Sequence, residues 1–430
     1  MITSRVFAGR SYAVLGLARS GIATVEALLA SGAEVMAWDL REEARAAVSS
    51  KTRVADPMTI ALTGLSGIVV SPGVPLNRHP IAARAREAGV PLIGDIELFA
   101  QARSTLPDHK VVGITGTNGK STTTALVRHI VETAGIPSLM GGNIGLPILG
   151  RDPLPAGGIY VLELSSYQLD LTESLDCDVS VLLNVSADHL DRYDGIDDYA
   201  ASKARLFAMQ SPEHVAVIAA EDDYTRAVAA QVSGKRVLVA SADVRDQSRW
   251  PALQGPHNAQ NAAAAVAVAR ALGIADAAIA RGLATYPGLP HRMERVGERR
   301  GILFVNDSKA TNPTSTAPAL AAYPPDPEPR LHWILGGRAK SDDLDACEPW
   351  FQNVRAAYTI GEAGPLFADL LSDRMPVTKC IVLEKAVDAA AEAARPGEVV
   401  LLSPACASFD QFTDYEARGD AFRAAVEGLA

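Results

Sequence analysis

Short apolar runs recur along the chain, each followed by a glycine-containing or polar turn and then by apolar residues at helical spacing. Residues 11–17 form the first run and lead through Gly16-Leu17-Ala18-Arg19-Ser20-Gly21 into a helical pattern over 22–31. Residues 34–38 and 67–74 read as further strands, and the alternation continues to about Phe99, followed by a polar linker over 101–109. A second series carries strands at 158–164, 179–183 and 215–219, a helix at 199–207 and an alanine-rich helix pair within 262–280. A third starts after the break at Gly288–Arg292, with strands at 302–305, 331–335, 357–360 and 398–402, and an exposed proline-rich loop over 323–330. Strands alternating with helices predict an α/β protein built on mostly parallel sheets. Its ligands are then expected at the carboxyl ends of the strands.

The most informative strand-to-helix turn is Gly113-Ile114-Thr115-Gly116-Thr117-Asn118-Gly119-Lys120-Ser121-Thr122-Thr123. Its backbone amides can face phosphate oxygens, the helix start adds partial positive charge, Lys120 adds a full one, and Ser121 offers a hydroxyl to Mg²⁺. Ile114 stands where the general phosphate-loop pattern has its first glycine. An ordinary glycine turn accounts for Gly116 and Gly119 but not for Lys-Ser at the helix mouth. Glu163, Asp188 and His189 follow or end strands of the same series. Singly, Glu163 reads as a salt-bridged strand end and His189 as a core histidine; beside a triphosphate loop they read as metal ligands. Asn258, by residue type alone, is a helix cap. Ala18 occupies the middle-glycine position of a dinucleotide fingerprint, so residues 16–21 with Asp39 fit NAD poorly and leave another nucleotide diphosphate open.

Composition narrows the classes. A chain of 430 residues exceeds a single core, since cores rarely grow past about 250–300 residues, so two or three domains are expected. A formal net charge of −10 without Lys/Arg clusters argues against nucleic-acid binding. Cys177, Cys347, Cys380 and Cys406 form no CxxC pair and read as reduced thiols. Neither a signal pattern nor a membrane-spanning stretch is expected.

The phosphate loop, residues 306–312 (Asn-Asp-Ser-Lys-Ala-Thr-Asn) and residues 403–412 (Ser-Pro-Ala-Cys-Ala-Ser-Phe-Asp-Gln-Phe) together resemble the Mur ligase family, over essentially the whole chain. Gly-Thr-Asn-Gly-Lys-Ser is shared with folylpolyglutamate synthases, the alternative reading. The other two stretches are similar to the family's D-glutamate-adding branch, and the Asp-Asn-Pro-Arg motif of its diamino-acid-adding members is absent.

The resemblance implies three domains: a Rossmann-like UDP-sugar domain (1–103), a central P-loop ATPase-like domain (104–288) and a Rossmann-like domain for the amino acid (289–430). It implies a monomeric, cytoplasmic enzyme of peptidoglycan precursor synthesis that uses ATP and two Mg²⁺ to join D-glutamate to UDP-MurNAc-L-Ala through an acyl phosphate. Arg19, Ser20, Asp39, Arg41, Ser71, Gly73 and Asn77 would surround the uridine diphosphate. Gly116, Thr117, Asn118, Gly119, Lys120, Ser121, Thr122 and Thr123 would hold the phosphates, with Asn258 and Asn261 at the adenine and Arg292 and Asp307 also on the nucleotide. Ser121 and Glu163 would hold one Mg²⁺, and His189 with a carbamylated Lys203 the other; without the family, Lys203 is a solvated helix lysine paired with a carboxylate. Asn143, Ser165 and Gln168 would lie by the UDP-linked substrate and Lys309 by the reacting centre. Thr311, Lys340, Ser408 and Tyr415 would grip D-glutamate.

Overall fold

A computed structural model describes residues 1–48, 50 and 52–429. The chain forms two compact units, Met1–Asp243 with Gln260–Leu283, and Val244–Ala259 with Ala284–Ala430.

The first unit contains two parallel sheets. The amino-terminal one is built from β1 (Ser11–Leu15), α1 (Arg19–Ala30), β2 (Glu34–Trp38), α2 (Glu42–Ala46), β3 (Arg53–Val54), β4 (Gly67–Val70), α3 (Ile81–Ala88), β5 (Leu92–Ile93) and α4 (Asp95–Ala102), in strand order β3-β2-β1-β4-β5. The other comprises β6 (His109–Thr115), α5 (Lys120–Thr133), β7 (Ser138–Gly142), β8 (Gly158–Glu163), α6 (Ser166–Asp170), β9 (Val179–Leu182), α7 (Ile196–Ala208), β10 (Val215–Ala219), α8 (Asp223–Gln231) and β11 (Lys235–Val239). Its order is β11-β10-β9-β6-β8-β7. From β6 the chain passes to the edge strand β7, returns to β8 beside β6, then crosses to β9 on the other side. The phosphate loop leaves β6 at this reversal, where open α/β sheets carry a crevice. All of β8 and β9 is buried, which is why both are mainly apolar, with Ser180 in β9 and the terminal Glu163 of β8 as the polar positions.

The stretch 101–109 is a pinned connection. Arg103 donates to the Asp176 carbonyl and pairs with Asp178, and the Thr105 hydroxyl bonds that of Ser4. One hydrophobic core runs beneath both sheets of this unit, with Phe99 against Tyr160 at 5.1 Å between ring centroids. The alanine-rich helices α9 (Pro256–Ala271) and α10 (Asp276–Thr285) follow. Gly282 of α10 packs so closely on Ile130 that an added Cβ would meet it at 2.8 Å.

The second unit carries β12 (Glu294–Arg299), β13 (Ile302–Asn306), α11 (Pro313–Ala321), β14 (Leu331–Gly336), β15 (Val354–Ile360), α12 (Gly364–Leu371), β16 (Val377–Ile381), α13 (Leu383–Ala393), β17 (Val399–Leu402) and α14 (Tyr415–Glu427). Strand order is β12-β13-β17-β14-β15-β16, parallel except for β12 against β13. Separate cores line its two faces, one around Trp333 and Phe367, the other around Phe304 and Phe422. Among the described residues, no helix is long and apolar enough to cross a membrane.

Candidate active site

The phosphate loop is shaped by its neighbours in the sheet. Gly119, at φ 82°, is the N-cap of α5 and supplies no side chain to the helix's first amides. The first-turn amides of a helix point out along its axis, the direction from which an anion meets them. A Cβ on Gly119 would come within 2.2 Å of Asn261 Oδ1, so only glycine fits. Thr117 N–H donates to the Asn184 carbonyl and Asn118 N–H to the Asn184 side chain, both at 2.8 Å. Lys120 Nζ folds back onto the Gly116 and Thr117 carbonyls at 2.9 and 2.8 Å. Ser121 and Thr123 are buried, Thr122 is half-buried, and the Thr123 hydroxyl donates to Asn261 Oδ1.

Beside this loop, Glu163 ends β8, 2% exposed. Its Oε1 accepts from Asn143 Nδ2 at 3.0 Å, whereas Oε2 is buried with no partner. A buried carboxylate oxygen without a donor is costly, and a hard cation is one partner that would satisfy it. The salt-bridged alternative has no counterpart in the described residues.

Lys203, on α7, is not solvated: it is 1% exposed, donates to the Gly116 carbonyl at 3.0 Å, and sits 4.2 Å from the Tyr199 ring centroid. Burial, reinforced by the nearby Lys120 charge, drops its pKa to about 6. His189 is not a core histidine. It lies in an exposed turn at φ 54°, 3.5 Å from Asp188. Among the described residues no group of three His, Cys, Asp or Glu gathers around a metal position, so an ion here would need phosphate and water to complete its shell.

In the amino-terminal sheet, the loop after β1 is braced from two sides. Asp39 accepts from Leu17 N–H at 2.7 Å and from Arg41, and the Ser71 hydroxyl donates to the Gly16 carbonyl at 2.7 Å. Asp39 is therefore occupied by the loop itself, with its pKa lowered against the opposing effect of burial by hydrogen bonds from Arg41 and Leu17. Helix α1 starts at Arg19 and Ser20 behind Ala18, another N-cap without a capping side chain. Asn77 Nδ2 reaches the Asp191 carbonyl at 2.9 Å, and Arg192 donates to the carbonyls of Gly73 and Val74 while lying over the Tyr167 ring. The turn carrying His189 is thus tied to the loop after β4. Ser165 and Gln168 form the capping box of α6.

The second unit collects its own polar strand ends. Asp307, buried, accepts from Ser403 Oγ at 2.8 Å and from Met293 N–H, and burial pushes its carboxyl up to about 7 against the pull of Ser403, Met293 and Arg292. Lys309 Nζ donates to the Tyr415 hydroxyl at 2.8 Å and Lys340 Nζ to Thr311 Oγ1 at 3.1 Å. Ser408 is buried in the loop after β17. Asn258 bonds the Gln254 carbonyl one turn back and belongs to this unit, whereas Asn261 belongs to the other.

Three participants escape the sequence reading. Asn184, whose signal is its place two residues past the end of β9, holds the phosphate loop. Arg192 ties two loops and carries no local signal. Arg418 falls in register with buried Phe422 and Val426 on α14, an arginine where the pattern calls for an apolar residue.

Comparison with known proteins agrees with this arrangement. Family models match residues 10–94 as the Mur ligase MurD-like N-terminal domain, 114–252 as the Mur ligase middle domain, and 291–406 as the Mur ligase glutamate ligase domain. Two UDP-N-acetylmuramoylalanine–D-glutamate ligases are close relatives. That of Sphingopyxis alaskensis is 65% identical over 100% of both chains, and that of Novosphingobium aromaticivorans 64% identical over 100% of this chain and 97% of its own. The crystal structure of MurF from Acinetobacter baumannii, at 18% identity, shares the fold with TM-score 0.60 over 97% of this chain and 91% of its own. The glycine turn after β1, residues 114–123 of the phosphate loop, and Asp307, Lys309, Thr311 and Lys340 fall inside the matched segments, and the chain belongs to the Mur ligase family.

Proposed function

We propose that this protein joins D-glutamate to UDP-N-acetylmuramoyl-L-alanine at the expense of ATP, in the cytoplasmic synthesis of peptidoglycan precursors, through three domains divided near residues 103 and 288. The observation that carries the reading is the carboxyl edge of the β6 sheet. There the uncapped start of α5, Lys120 and the unpartnered oxygen of Glu163 converge, in a chain sharing 65% of its residues with a named D-glutamate ligase.

A carboxylate resists attack by an amine, so its oxygen must first become a leaving group. In this reading the first-turn amides of α5 and Lys120 hold the β- and γ-phosphates and offset the charge that builds up during phosphoryl transfer, which is mainly a task of positioning. Lys120 must first release the two loop carbonyls it now engages. The substrate carboxylate, presented from the loops after β1 and β4, accepts the γ-phosphoryl group, and the D-glutamate amine displaces phosphate from the resulting acyl phosphate. Ser121 and Glu163 would hold one Mg²⁺, and His189 with carbamylated Lys203 a second; bound there, the ions neutralise phosphate and carboxylate charge. Asn143 orients Glu163 through their 3.0 Å hydrogen bond. Lys340 and Thr311 would engage the D-glutamate side chain, with Ser408 and Tyr415 completing the pocket, and Lys309 and Arg292 would face the transferring group.

Substrate labelled with ¹⁸O in its carboxylate tests the scheme: one label passes to orthophosphate on each turnover. Phosphate release that requires both UDP-MurNAc-L-Ala and D-glutamate, with label transfer, is the expected result. Unlabelled phosphate overturns the acyl phosphate, and folate-dependent release favours a folylpolyglutamate synthase.

A further inference from the structure

We infer that Arg418 is a positioning residue of the amino-acid pocket, one buried cation that sets the spacing of three strand-end loops; the inference rests on the function proposed above. Arg418, in the first turns of α14, is 1% exposed. Its Nε donates to Ser308 Oγ at 2.9 Å, Nη2 to the Ser308 and Cys406 carbonyls at 2.8 and 3.0 Å, and Nη1 lies 3.5 Å from the Gly336 carbonyl.

These acceptors sit at the carboxyl ends of β13, β17 and β14, which are consecutive in the sheet. The loop after β13 carries Asp307, Lys309 and Thr311, that after β14 carries Lys340, and that after β17 carries Ser408. Every residue assigned above to D-glutamate, apart from Tyr415, therefore projects from a loop that this guanidinium grips. Tyr415 is reached in one further step, because the Ser308 hydroxyl that accepts from Arg418 donates to the Tyr415 carbonyl at 2.8 Å.

The choice of residue is physically specific. A planar guanidinium presents donors in three directions, and a lysine ammonium cannot span three strand ends. No carboxylate lies within ion-pair distance of Arg418 among the described residues, and its acceptors are carbonyls and a hydroxyl. Burying a cation on these terms costs more than apolar packing of the same volume, so rigidity alone does not explain it. A charge fixed behind the three loops favours an anionic amino acid in front of them. Space is tight as well: a Cβ on Gly337 would lie 3.1 Å from Nη1 and 2.4 Å from the Ala407 carbonyl.

The test is steady-state kinetics of the full chain with Arg418→Lys and Arg418→Met. The D-glutamate KM is expected to rise about tenfold or more, since misplacement by about 1 Å can cost about 10²-fold, while KM for ATP and for the UDP-linked substrate changes less than twofold. Arg418→Lys should retain more D-glutamate affinity than Arg418→Met. An unchanged D-glutamate KM, or equal rises in all three constants, overturns the inference. If neither variant accumulates as folded protein, Ser308→Ala, which removes only the Nε acceptor and the link to Tyr415, carries the test: a selective rise in D-glutamate KM supports the role and parent-like kinetics refutes it. Failure of the parent enzyme itself to release phosphate in response to D-glutamate instead removes the functional reading.

Discussion

Replacing Lys203 with methionine separates the physics of this site from its chemistry. The folded chain holds this amine with a pKa near 6 against an ordinary 10.5. The unfolded chain therefore binds the proton first as pH falls. Folding stability is undiminished above 10.5, declines as pH drops toward 6, and levels off below. One pH unit corresponds to about 1.4 kcal/mol, so at pH 7 the lysine costs about 5 kcal/mol relative to a neutral side chain. Methionine fills a similar volume but forfeits the bond to the Gly116 carbonyl, worth about 1 kcal/mol. The variant should thus be several degrees more heat-stable than the parent at pH 7 in bicarbonate-free buffer, with the gain shrinking as pH approaches 10. Thermal unfolding followed across pH 6.5–9.5 is the assay, and parallel parent and variant curves would refute the reasoning. The same shift leaves more than about nine-tenths of the amine neutral at pH 7.4, against about one in a thousand for an ordinary lysine. A neutral amine is what CO₂ requires. Adding ¹³C-bicarbonate should produce a carbamate carbon resonance in the parent and none in the variant, which should also lose turnover.

Gly119→Ala forces a left-handed alanine into Asn261; the backbone term alone is about 1–2 kcal/mol, so the ATP KM should rise about tenfold or more, and a change under twofold would contradict the fit. Glu163→Gln keeps the shape but not the charge at the unpartnered oxygen, and the Mg²⁺ concentration for half-maximal turnover should climb about tenfold or more, as read from a Mg²⁺ titration at saturating ATP. Arg192→Ala cuts the tie to Gly73 and Val74; the KM for the UDP-linked substrate should rise about tenfold, on the order of one charged hydrogen bond, with the ATP KM little changed. Equal sensitivity of both constants would argue against that coupling.

What could be read from the sequence follows burial. Strands β1, β6, β8 and β9 are covered on both faces and announce themselves as apolar runs. The charged edge strand β12, reading Glu-Arg-Val-Gly-Glu-Arg, and the exposed β11 give no such signal, because an edge is not required to be apolar and gains from charge. The places of Lys120 and Ser121 at a helix start and of Glu163 at a strand end are legible because such ends are local features. The burial of Lys203 was not, since a lysine near the middle of a helix ordinarily faces water and only the packing of α7 against the phosphate loop places it otherwise. Arg192 and Arg418 act across more than 100 residues of chain, Arg192 on Gly73 and Arg418 on Ser308, and no local pattern encodes a partner that distant. The capping box of α6, by contrast, lies within Ser165 to Gln168 and ends up as a helix start.

The phosphate loop is held by Asn184 and Asn261, which enter the sequence 66 and 138 residues after their partners Asn118 and Thr123. Nucleotide affinity therefore cannot exist in any isolated segment and comes into being only when β9 and α9 have docked. By mass action, ATP at about a hundred times its dissociation constant adds about 2.7 kcal/mol to the assembled state. The cell's own nucleotide pool then acts as a folding ligand for this part of the chain, and substitutions in the core beneath it should prove more damaging when that pool is depleted.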